Sequence, residues 1–192
     1  NCGFDGIRYN ISGENFKTTK YFNVAIESNA VQPAVIEFIT STFQYSEYGA
    51  FIKYGESITF DNCWFEFLDI GVAAAKSTSG SPSRSINILN SRFANASGFG
   101  SLWQNVRNSN KDGGGFPNGT CISVEGESEV NVQNNYLIVT YPASSANPNN
   151  FFVRNYSNDA DINISGNTFL DPILSKTFGV NNKTINVTNN EI

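Results

Sequence analysis

A nine-residue unit recurs along this chain, and it restricts the fold more than any other feature. The copies are Arg8 to Phe16, Val35 to Phe43, Ser57 to Phe65, Ser85 to Phe93, Glu129 to Leu137, Asp161 to Phe169 and Thr184 to Ile192. Measured between their second residues, Tyr9, Ile36, Ile58, Ile86, Val130, Ile162 and Ile185, the steps are 27, 22, 28, 44, 32 and 23 residues. Periods of this length belong to solenoids, where each repeat buries its apolar face only against its neighbours.

Inside the unit, positions two and four are nearly always Ile, Val, Phe or Tyr, and position three is Asn, Thr or Glu in most copies. That alternation is a half-buried strand. Positions six and seven are mostly Asn, Gly, Ser, Thr or Cys, residues that tolerate a left-handed backbone or bond to nearby amides at a sharp turn. Position nine returns an apolar side chain inward, which predicts an internal ladder of Phe16, Phe43, Phe65, Phe93, Leu137, Phe169 and Ile192. A second apolar strand precedes most units, as at Ala50 to Tyr54, Cys121 to Val124 and Phe151 to Arg154. The expectation is an all-β chain: a right-handed, single-stranded parallel β-helix of about seven coils, stacked at about 4.8 Å.

The units resemble the parallel β-helix repeats of the pectin-lyase-like superfamily, through Ile162-Asn-Ile-Ser-Gly-Asn-Thr-Phe and Val130-Asn-Val-Gln-Asn-Asn-Tyr. The resemblance covers almost the whole chain and implies coils, not a chemistry. Such coils occur in pectate and alginate lyases, in phage tailspikes and in bacterial surface proteins that bind glycans.

Composition narrows the function. The 192 residues contain no His, which removes Ser-His-Asp and Cys-His nucleophilic sites, His bases and His-ligated metals. A net charge of -5 argues against nucleic acid as a partner. No apolar run is long enough to span a bilayer. Cys2, Cys63 and Cys121 are widely spaced and read as small buried hydrophobes. Seven Asn-x-Ser/Thr sequons barely exceed what this Asn-rich, Ser- and Thr-rich composition gives by chance. The chain reads as one domain over 1–192, cut from a longer protein, with its end coils continued or covered by flanking sequence or other copies.

Three departures from the repeat supply candidate sites. The 44-residue step holds a Gly-rich inserted loop at 96–119 carrying Phe99, Trp103, Arg107 and Phe116. It is either a lid over a seam or a binding loop. Position eight faces out, and on three consecutive coils it holds Trp64, Arg92 and Tyr136, a guanidinium between two aromatics. This is a self-satisfied stack or a sugar platform, and the outward polar column Asn87, Asn131 and Asn163 is a further glycan-binding candidate. Finally, Glu127 and Glu129 on one coil match Asp159 and Asp161 on the next, flanked by Arg84 and Lys183. These acids are solvated, or hold calcium, or form a catalytic pair.

Three functions compete. The first is a non-catalytic extracellular, cell-surface or virion-surface module that binds polysaccharide or mediates attachment. The second is a fragment of a lyase, glycosidase or tailspike depolymerase, since two carboxylates suffice for glycoside hydrolysis. The third is a fibre shaft.

Overall fold

The computed structural model describes residues 3–5, 22–26, 35–75, 85–94, 120–126, 128–138, 151–169, 177–179 and 185–191. In chain order these form β1 (Gly3–Asp5), β2 (Phe22–Ile26), β3 (Val35–Ile39), β4 (Thr42–Ile52), β5 (Ser57–Asp61), β6 (Trp64–Ala74), β7 (Ser85–Leu89) and β8 (Arg92–Ala94). They continue through β9 (Thr120–Val124), β10 (Glu129–Gln133), β11 (Tyr136–Ile138), β12 (Phe151–Asn155), β13 (Asp161–Ser165), β14 (Thr168–Phe169), β15 (Thr177–Gly179) and β16 (Ile185–Thr188). Among the described residues there is no helix.

Every strand pair is parallel, and the strands stack in chain order. The first sheet runs β3, β5, β7, β10, β13, β16 and consists of the first five positions of successive units. The second contains β1, the start of β4, the start of β6, β8, β11 and β14. The third contains β2, the end of β4, the end of β6, β9, β12 and β15. Three parallel sheets visited in rotation are compatible with a parallel β-helix.

Registers between coils are what the repeat requires. Ile58, Ile86, Val130 and Ile162 pair in sequence, and all are fully buried or nearly so. Phe43, Phe65 and Phe93 form the internal ladder, with neighbouring ring centroids 4.8 Å apart and planes within 9° of parallel. Burying each ring contributes about 1.5–3 kcal/mol, and ring contact adds about 0.5–1.5. The next rung is the smaller Leu137, and there Phe152 enters from the third sheet, 6.4 Å from Phe93 and 5.0 Å from Phe169. A residue outside the unit thus fills the space a shorter rung leaves.

The turn after each first-sheet strand divides its work between two residues. Position six adopts a left-handed backbone in every described unit: Thr40, Asn62, Asn90, Asn134, Gly166 and Asn189, with φ between 49° and 66°. Position seven points inward. Ser41, Cys63, Ser91, Asn135 and Asn167 are buried there, and their polar groups bond from coil to coil. The amides of Cys63, Ser91, Asn135 and Asn167 donate to the side-chain oxygens of Ser91, Asn135, Asn167 and Asn190 at 2.9–3.0 Å. Asn135 and Asn167 also donate through Nδ2 to the carbonyls of Ile88 and Val132. The Cys63 thiol donates to Phe38 O at 3.2 Å, in the same role. Unmet, each such buried group would cost about 1–3 kcal/mol.

Candidate functional site

Position eight follows this inward turn residue, so its side chain is turned out on every described coil. Backbone pairing lines up Thr42, Trp64, Arg92, Tyr136 and Thr168 in one column, and a further bridge joins Thr168 to Glu191. Trp64 is half-buried, Arg92 exposed and Tyr136 36% exposed. The Arg92 guanidinium carbon lies 5.7 Å from the Trp64 ring centroid, within cation–π range. Among the described residues, no carboxylate comes within ion-pair distance of Arg92. The Trp64 indole N–H is enclosed and has no acceptor among the described residues. The column therefore offers an uncompensated guanidinium, pinned against one ring and register-paired with another.

The Asn column is arranged differently. Asn163 Nδ2 donates to Asn131 Oδ1 at 3.1 Å, Asn131 Nδ2 to Asn87 Oδ1 at 3.1 Å, and Asn87 Nδ2 to Thr59 Oγ1 at 3.4 Å. The second amide hydrogen of Asn131 goes to Glu129 Oε1 at 3.3 Å. These side chains spend much of their bonding capacity on one another, which stiffens the first sheet's outer face. Position six is also engaged: Asn62 Nδ2 donates to Thr40 Oγ1 and Asn90 Nδ2 to Asp61 Oδ1.

Of the acidic patch, Glu129 and Asp161 are register partners on β10 and β13, and both are exposed. Asp159 is exposed two residues earlier, its amide bonded to Ser157 Oγ at 3.1 Å. Among the described residues, no group of three or more His, Cys, Asp or Glu could hold a metal ion. Glu127, Arg84 and Lys183 lie outside the described residues, as do Phe99, Trp103, Arg107 and Phe116 of the inserted loop.

Sequence reasoning did not anticipate a second apolar cluster on the outer face of the third sheet. Phe51, Ile70, Ala73 and Ala75 are 4–6% exposed, with Tyr48 packed against them. Beside it, Arg154 lies 4.6 Å from the Tyr156 ring. The signal was present as Phe51 and Ala73 at outward positions of strands, but period two alone does not say that an outward position is covered. Cys63 and Cys121 are free and buried, as small hydrophobes would be. Among the described residues no helix is long and apolar enough to cross a membrane. No protein-family model, curated protein or solved structure matches the chain.

Proposed function

We propose that this chain is a right-handed parallel β-helix of the pectin-lyase-like kind, about seven coils long, and that it serves as a non-catalytic extracellular or surface module binding polysaccharide. The observation that carries this reading is Arg92, exposed, free of any ion-pair partner among the described residues, pinned against Trp64 and register-paired with Tyr136 in one external column. A guanidinium fixed against an aromatic face presents a pre-organised fork of donors, which suits the hydroxyl and acidic groups of a sugar. Any rearrangement that admits a hydroxyl to the enclosed Trp64 N–H would relieve an unmet donor costing about 1–3 kcal/mol.

A second reading rests on Glu129 and Asp161. Register pairing on neighbouring strands, whose backbones lie about 4.8 Å apart, puts two exposed carboxylates side by side, the residue pair that glycoside hydrolysis uses. Both readings meet in one experiment: affinity electrophoresis of the chain in gels containing plant, algal or bacterial polysaccharides, with parallel assays for reducing ends and unsaturated products. Retention without products, lost in Arg92→Ala, supports the binding module. Products that vanish in Glu129→Gln or Asp161→Asn would replace it with an enzyme. Neither retention nor products would leave the fibre shaft.

A further inference from the structure

Resting on the glycan-binding reading, we infer that the ligand is an extended, equatorially linked pyranose chain lying along the stacking direction, one sugar to each coil, with three successive units at Trp64, Arg92 and Tyr136. The three side chains occupy one column by direct backbone pairing, so any ligand touching all of them must run from coil to coil. Trp64 and Tyr136 are two coil steps apart, about 9.6 Å at the usual strand spacing. An equatorially linked pyranose chain is ribbon-like and advances by nearly one such step per sugar, so its contacts recur in phase with the coils. An α-1,4-linked chain winds out of phase after a unit or two.

The surroundings favour the same direction. A chain laid across the coils would meet Asn87, Asn131 and Asn163, whose amides already bond to one another, or Asn62 and Asn90, which are bonded to Thr40 and Asp61. Along the column it meets the hydroxyls of Thr42 and Thr168 beyond the two aromatics, which extends the contact to five coils. Glu129 and Asp161 stand at position one of their units, on the far side of the buried turn from position eight. A ligand on this line passes them by.

The test is a titration of the whole chain with cello-, chito- and manno-oligosaccharides of two to six units, and with malto-oligosaccharides of the same lengths. Affinity in at least one equatorial series is expected to rise roughly tenfold from two units to three. It should level off by five, with no such step in the malto series. Tyr136→Ala, an external substitution, should abolish the step while leaving disaccharide binding near its original value. Equal affinity at every length, a malto series that matches the others, or a Tyr136→Ala loss shared equally by all lengths would overturn the axial placement while polymer retention kept the binding reading intact. Failure of every polymer and oligosaccharide to bind would overturn both.

Discussion

At position six a left-handed backbone recurs, and Thr40 is the residue least suited to it. Its φ is 51°, close to the 49–56° of Asn62, Asn90, Asn134 and Asn189, but a β-branched side chain crowds the backbone there while Asn does not. An L-residue in this region costs about 1–2 kcal/mol, and Asn recovers part of that through local bonding. Thr40 Oγ1 accepts a bond from Asn62 Nδ2 at 3.3 Å, a contact that the carbonyl of an Asn would also provide. Thr40→Asn is therefore expected to stabilise the fold by about 1 kcal/mol, raising Tm by about 2–4 °C in thermal circular dichroism. A Tm equal to or below that of the parent would refute the strain argument. The sequence marked positions six and seven together as a turn, and that much was legible. Which of the two is exposed and left-handed, and which enters the core, was not, because both tasks select the same short polar side chains.

The elements show a second limit of the same kind. The repeat located the first-sheet strands and the inward Phe ladder, because alternation and spacing are written directly in residue type. It did not show that β4 and β6 run unbroken from the second sheet into the third. That turn carries no cluster of Gly, Pro and Asn; it depends on one small residue per coil at the corner. A Cβ on Gly71 would stand 2.6 Å from the Cys121 carbonyl oxygen and 2.8 Å from a Phe93 ring carbon, and one on Gly49 would stand 2.6 Å from Gly71 O. Backbone on the adjacent coil cannot give way without moving the whole stack. Gly71→Ala should accordingly destabilise the fold by about 1–3 kcal/mol, read as a lower denaturant midpoint at unchanged slope. An unaltered midpoint would mean that the corner is looser than the packing around Phe93 implies. The stripe was legible for the opposite reason: Trp64, Arg92 and Tyr136 follow from register alone, since backbone pairing fixes which residues share a column.

For the whole molecule, the buried thiols set an alkaline limit. Burial pushes the Cys121 thiol well above its ordinary value of 9.0, and burial also raises Cys63, opposed in part by hydrogen bonding with the backbone of Ser41 and Asp61. In the fold both stay protonated where the unfolded chain would ionise. Above pH 9 unfolding then releases protons, so stability is intact below that value and falls as pH rises beyond it, by about 1.4 kcal/mol per pH unit for Cys121, with Cys63 adding in the same direction. Cys121→Ala should be less stable than the parent at neutral pH yet show a shallower alkaline decline in urea titrations at stepped pH. Parallel slopes would contradict the assignment. The two Asn ladders have a joint consequence as well. In the outer one each Nδ2 donates to the preceding coil, from Asn163 to Asn131 to Asn87, whereas in the inner one Asn135 and Asn167 each donate both ways, back to the carbonyls of Ile88 and Val132 and forward to the side chains of Asn167 and Asn190. Taking a coil out of this stack would strand buried donors and acceptors on the coils at both sides of the gap, so side chains as well as backbone tie each coil to its two neighbours.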